Sequence, residues 1–210
     1  MAFADAIRLA AVSVGATADV SAIERLARYV ELVFKWNRIT NLVGTRDPDV
    51  FVSEHVADCL SISPYVGVGT LADIGSGAGL PGIVLACLDP ARRILLVEPR
   101  AKRARFLEQV RIALALPHVM VVNARVEAWC PQEPVDIFVS RALGSLAEFV
   151  RLTTAFQRPG CRLFAMKGQV PVTELSALDT ARFTSCVRAL DVPGFRERHL
   201  VELTVNAPVA

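Results

Sequence analysis

Four glycines within eight residues, Gly75, Gly77, Gly79 and Gly82, follow directly on Leu71-Ala72-Asp73-Ile74. An apolar run broken by glycine and resumed as a second apolar stretch at 82–88 reads as strand, loop and helix. Glycine takes positive φ at no steric cost and lets a ligand approach the backbone closely. In an open α/β sheet, a loop of this kind at the carboxyl end of a strand holds a nucleotide-like molecule. The remainder of the chain must then supply further strand–helix units.

It does so in order. Short apolar runs at 70–74, 94–97, 119–122, 135–139 and 162–166 alternate with helical patterns at 82–88, 102–114 and 145–156. This rhythm predicts an α/β fold with a doubly wound, mostly parallel sheet. After Gly168 the rhythm changes. Strand-like segments at 182–191 and 198–205 flank Pro193-Gly194 and suggest a closing hairpin, antiparallel to the rest. Upstream, Ile23, Leu26, Ala27, Val30, Val33 and Phe34 follow helical spacing behind a Ser21/Glu24 capping box, which predicts a helix over 21–36. A second helix starts at Asp47-Pro48, runs towards Leu60 and is closed by Pro64. The expected organisation is a helical extension over 1–66 and one α/β domain over 67–210.

Composition narrows the class. The chain is 53% hydrophobic with a mean hydropathy of +0.42, so a membrane reading needs testing. The run 83–88 stops at Asp89-Pro90, and no apolar segment approaches the roughly 20 residues of a spanning helix. Asp5 and Arg8 interrupt the N-terminal apolar stretch and no basic region precedes it, which argues against a signal peptide. The odd number of cysteines (59, 87, 130, 161 and 186), without a CxxC pair, points to a reducing cytoplasm rather than a zinc or disulfide framework. Net charge is only +2. Locally, however, Arg100, Lys102, Arg103, Arg105 and Arg111 face only Glu108. That cluster is an anion-facing surface or a solvated helix face.

Two ligands fit the glycine loop. Gly77-x-Gly79-x-x-Gly82 matches the dinucleotide fingerprint, and Glu98 falls at the end of the second strand, where an acid holds ribose hydroxyls. An NAD-dependent oxidoreductase therefore stays open, as does a non-catalytic module on the same fold. Asp73 suits a ligand carrying an ammonium group better than a pyrophosphate. Pro81 removes a backbone donor near the helix start, weakening an anion cradle. Both favour S-adenosylmethionine.

The surrounding motifs extend this reading. Asn41-Leu42, His55-x-x-Asp58, Gly79-Leu80-Pro81-Gly82, Lys102-Arg103-x-Arg105-Phe106-Leu107, Ser140-Arg141-Ala142, Lys167-Gly168 and Arg198-His199-Leu200-Val201 occur in that order. Together, over about residues 21–206, they resemble the RsmG family, formerly called GidB. The resemblance implies a Rossmann-like class I methyltransferase that transfers a methyl group from S-adenosylmethionine to N7 of a guanine in the decoding region of 16S ribosomal RNA. It implies that Gly75 and Leu80, beside Asp73, Gly77 and Glu98, line the cofactor pocket. Val126 and Glu127 would flank the adenine, and Arg141 would complete the site. The expected partner is 16S ribosomal RNA or a small-subunit particle, with the protein a monomer in the cytoplasm and no membrane involved. Pro99 and Cys59 depart from the family, where serine is common.

Guanine N7 carries no proton at neutral pH, so this chemistry needs positioning rather than a general base. Consistently, the chain has no D/N-P-P-Y/F segment, and Cys130-Pro131 reverses the order that cytosine C5 methylation uses. Arg141 and Lys167 are the candidates for orienting the reacting groups. Lys102, Arg125 and Lys167 are candidates for RNA phosphates. His55 is expected to be structural, bonded to Asp58 one turn later, and Asn41 a cap or loop residue.

Overall fold

The apolar runs assemble into a seven-stranded sheet in the order β3-β2-β1-β4-β5-β7-β6. The strands are β1 (Leu71–Ile74), β2 (Ile94–Val97), β3 (Val119–Val122), β4 (Ile137–Arg141), β5 (Arg162–Lys167), β6 (Phe183–Ala189) and β7 (His199–Val205). The structure is a computed structural model that describes residues 3–207; residues 1–2 and 208–210, the outer ends of the two expected units, lie outside the described residues. Strands β1 to β5 are mutually parallel. Every residue of β1 and β2 is buried, as expected of strands covered on both faces.

The C-terminal hairpin is antiparallel, but only β7 runs against the rest. It pairs antiparallel with both β5 and β6, so β6 points the same way as β1 to β5. The reason lies in the side chains. Leu200, Val201, Leu203 and Val205 of β7 are buried, whereas most of β6 is exposed or half-exposed. The apolar strand takes the inner position and the polar one blunts the edge.

Helices cover both faces. On one side lie α1 (Ala4–Ser13), α2 (Val20–Thr40), α3 (Pro48–Val50), a π-helical turn at Phe51–Val56, α4 (Ala57–Ser61), α5 (Ser63–Val66), α6 (Gly82–Leu88) and α7 (Ala101–Ala113). Their buried residues, from Ile7 to Val110, form one cluster with β1, β2 and β4 side chains. On the other side α8 (Leu146–Thr153) packs with Trp129, Phe138 and Phe183. Sequence periodicity did not mark α1 or the short α9 (Val172–Ser176).

The capping box is also corrected. Helix α2 begins earlier, at Val20, because Asp19 accepts a hydrogen bond from Ala22 N at 2.6 Å. Ser21 instead accepts from Arg25 Nη1 at 2.8 Å. Asp is as strong an N-cap as Ser, and its position wins here. The helix ends at Asn41, a left-handed C-cap, so the cap role expected of Asn41 is observed. Among the described residues no helix is long and apolar enough to cross a membrane.

Candidate active site

The sheet order reverses between β1 and β4, which are neighbours while their connecting segments diverge. Ligands of open α/β sheets bind at that crevice. The glycine loop leaves the end of β1 there. Gly75 N and Ser76 N both donate to Val97 O, at 2.9 and 3.2 Å, pinning the loop to β2. Gly77 has φ +58°, and a Cβ added to it would meet nothing closer than 3.7 Å. Its need for glycine is conformational, and it leaves bare backbone facing the crevice. Gly82 differs. A Cβ there would come within 2.7 Å of Asp73 Oδ2, so the start of α6 sits directly against β1.

Asp73 is fully buried, and its Oδ2 accepts from Gly82 N at 2.9 Å. Burial pushes its carboxyl up to about 7, with the Gly82 hydrogen bond pulling the other way. Its other oxygen, Oδ1, is buried without a hydrogen-bond partner among the described residues. Asp73 lies beneath the loop and ties β1 to α6. Its position before a close-packed glycine is what burial demands, and spacing alone could not tell that from a ligand contact.

Glu98 closes the other wall. Its Oε2 accepts from Gly77 N at 2.9 Å and its Oε1 from Arg100 N at 2.8 Å. A carboxylate has about four acceptor sites, so each oxygen retains capacity for a ribose hydroxyl. Leu80 is half-buried beside the loop. Val126 is 6% exposed, its side chain in the core cluster with Trp129. Glu127 stands exposed next to it, 3.7 Å from Arg151 Nη2. Gly75, Gly77, Leu80, Glu98, Val126 and Glu127 thus gather at the carboxyl ends of β1, β2 and β3.

Arg141 and Lys167 end β4 and β5, but neither is free. Arg141 Nη2 lies 2.8 Å from His55 Nδ1, its Nε 3.3 Å from Asp58 Oδ2, and its Nη1 3.8 Å from Cys59 Sγ. The guanidinium is turned toward the N-terminal helices and ties the end of β4 to them. Lys167 Nζ donates to Gly144 O at 2.7 Å and sits 3.1 Å from Glu174 Oε2. Glu174 in turn accepts from Leu146 N. Lys167 ties the loop after β4 to α9.

No bond joins His55 to Asp58 among the described residues; both meet Arg141. A guanidinium only donates, so His55 Nδ1 accepts and its proton sits on Nε2. Burial, then the Arg141 charge, lowers the His55 pKa below its ordinary value. Arg198, outside the site residues expected from sequence, approaches Asp58 Oδ1 at 3.4 Å and stacks on Phe195 at 3.5 Å. Asp58, 2% exposed, is bracketed by two guanidinium groups. Burial raises its pKa, and Arg141 and Arg198 pull it back. The motif Arg198-His199 had marked Arg198 without assigning it a contact.

Lys102 and Arg125 are exposed and make no ion pair among the described residues. Cys130 and Pro131 line a hollow with Thr70 and Arg93, which precede β1 and β2. They are at the opposite edge of the sheet, which removes Cys130 as a nucleophile. Buried Cys59 has its thiol pushed up to about 12, chiefly by desolvation.

A glycine loop at the switch point of a 3-2-1-4-5-7-6 sheet, with an acid across it at the end of β2, defines the class I methyltransferases that use S-adenosylmethionine. Two solved structures share this fold. A SAM-dependent O-methyltransferase from Thermotoga maritima aligns with a TM-score of 0.57 at 15% identity, over 85% of this chain and 72% of that one. Precorrin-6y C5,15-methyltransferase from Geobacter metallireducens aligns with a TM-score of 0.55 at 14% identity, over 80% and 92%. The particular family follows from sequence. The GidB family model, described as rRNA small subunit methyltransferase G, matches residues 22–201, and the chain belongs to that family. Ribosomal RNA small subunit methyltransferase G of Pseudomonas aeruginosa is 41% identical over 97% of this chain and 96% of its own length. The protein of that name from Alkalilimnicola ehrlichii is 41% identical over 92% and 88%. This membership displaces the oxidoreductase and non-catalytic readings.

Proposed function

We propose that this chain methylates N7 of a guanine in the decoding region of 16S ribosomal RNA, using S-adenosylmethionine. The observation that carries this reading is the bare glycine backbone at the β1–β4 switch point, with Glu98 hydrogen-bonded across it. The residues fit the cofactor: Gly75 and Gly77 offer backbone, Glu98 keeps acceptor capacity for ribose, and Val126 and Glu127 border the adenine side. When bound, the cofactor supplies an electrophilic methyl group on a sulfonium centre.

Guanine N7 carries a free lone pair and no proton at neutral pH, so accepting that methyl would require no side chain to remove a proton, only residues that hold base and cofactor in register. The side chains around the crevice agree with catalysis by alignment. Arg141 only donates, Lys167 is held by Glu174, and His55 points its lone pair at Arg141. Lys102 and Arg125, both exposed, contribute positive charge for RNA phosphates. The protein acts as a monomer in the cytoplasm on RNA or a small-subunit particle, with residues 1–66 as a helical extension of the methyltransferase unit 67–210.

The test is transfer of labelled methyl from S-adenosylmethionine to small-subunit RNA, with mass mapping of 16S RNA from cells lacking the protein. One guanine losing its N7 methyl is the expected result. An unchanged map, or calorimetry showing binding of NAD in preference to S-adenosylmethionine, overturns the proposal.

A further inference from the structure

A groove of about 800 Å³ opens beside the glycine loop, between the end of α2, the 41–48 loop and the first turn of α7. Arg38, Arg46 and Arg103 line it with Phe34 and Asn41, and no acidic side chain does. None of the three arginines makes an ion pair among the described residues, although most arginines elsewhere in the chain do. Asp47, the nearest acid in sequence, is occupied in capping α3 through Asp49 N at 2.9 Å. Asn41 is exposed and its side chain makes no hydrogen bond among the described residues. Arg103 joins the groove to the cofactor loop: its Nη1 is 3.7 Å from the position a Gly77 Cβ would take.

Arg103 and its neighbour Lys102 lie in the first turn of α7, where the helix dipole disfavours cations. Glu108, the only acid on α7, is taken by Arg111. Three unneutralised guanidinium groups around one concavity fit a chain of phosphates, which guanidinium binds bidentately. The volume lies in the upper part of the range for small-ligand pockets, and its openness to solvent suits a strand passing through.

The geometry points to this groove as the seat of the single-stranded RNA backbone next to the target nucleotide. Arg38 and Arg46 hold phosphates on the outer wall, and Arg103 holds the strand at its junction with the methyl donor. This rests on the RNA-methylating function proposed above. These contacts position the strand and carry no base readout, so base choice falls to the crevice.

The experiment compares the whole protein with the double variant Arg38→Gln/Arg46→Gln. Both side chains are exposed and unbonded, so folding is expected to be unchanged. Binding of 16S RNA is measured across a salt series, with calorimetry on S-adenosylmethionine alone. Two lost single-strand phosphate contacts predict roughly 25-fold weaker RNA binding at about 0.1 M salt, and a log–log salt slope shallower by about 1.4. Cofactor affinity and kcat stay unchanged while KM for RNA rises. The control Arg8→Gln/Arg158→Gln removes two cations that are already ion-paired elsewhere and should leave the slope unchanged. An unaltered slope in the groove variant, an equal loss in the control, or a loss of cofactor affinity overturns the inference. If the parent protein itself neither binds nor methylates the RNA, the proposed function falls with it.

Discussion

At the scale of single residues, the glycine loop is held from below and from the side. Asp73 holds it from β1, and Tyr29 holds it from α2, its hydroxyl donating to Ala78 O at 2.7 Å in a fully buried position. Tyr29→Phe leaves that carbonyl unsatisfied, and a loss of about 1–3 kcal/mol is expected in urea denaturation. Cofactor affinity measured by calorimetry should fall with it, because the loop loses its support from α2. Asp73 gives a pH signature. Its folded pKa of about 7 lies above the ordinary ~3.9 of an unfolded chain. The folded state thus binds more protons between those values, and stability falls as pH rises through them. Asp73→Asn keeps an acceptor for Gly82 N and removes the titration. Relative to the variant, wild type should lose up to about 1.4 kcal/mol per pH unit across that window; parallel denaturation curves from about pH 4 to 7 would refute this.

At the scale of elements, the π-helical turn Phe51–Val56 decides where Arg141 goes. Its wider winding presents His55 to the end of β4, and Phe51 steadies the imidazole edge-on at 5.6 Å. Such turns tend to occur at functional sites. Nothing in the sequence signals one, since Phe51, Val52 and Val56 fit an α-helix equally well. The same limit hid the contacts that Arg141 and Lys167 make. Strand ends were legible, so both residues were placed at the correct edge, but their partners His55, Asp58 and Glu174 come from separate elements. Asp58→Ala leaves two half-buried guanidinium groups without their shared carboxylate, and a loss of about 3 kcal/mol, the low end for a broken buried pair, is expected by chemical denaturation. His55 has a folded pKa below its unfolded ~6.5, because protonation would set a cation against Arg141. Its stabilising contribution is therefore present above that value and lost as pH falls through the folded pKa. His55→Gln, which retains an acceptor, should remove this part of the acid sensitivity when melting temperatures are compared at about pH 5 and 7.

At the scale of the whole molecule, the parallel sheet was legible because strands buried on both faces must be continuous apolar runs; β2, buried throughout, falls where the pattern places it. The position of β7 inside β6 was not, since two strands joined by a turn read alike whichever takes the edge. The N-terminal helices were legible as helices, but their grip on the site was not. That grip consists of single contacts: Tyr29 on the loop, Arg25 Nη2 on Cys87 O at 3.0 Å at the end of α6, and Trp36 Nε1 on Gln109 Oε1 at 2.7 Å. Each joins residues far apart in the chain, a separation that local periodicity does not encode.

The packing of Trp36 gives the molecule a built-in optical probe. The chain has two tryptophans, and the sheet separates them. Trp36 meets Phe106 edge-on at 5.6 Å on the side of the N-terminal helices, and Trp129 meets Phe156 at 5.1 Å on the other. Trp129→Phe leaves emission that reports only whether α2 is seated on α7, and Trp36→Phe leaves emission from the opposite face alone. Because α2 shares its buried cluster with β1 and β2, both single-tryptophan proteins should lose their native emission at one denaturant concentration. An earlier transition for Trp36 would mean that the helices leave the sheet first, and that the methyl-donor loop loses its Tyr29 support while the rest of the fold is intact.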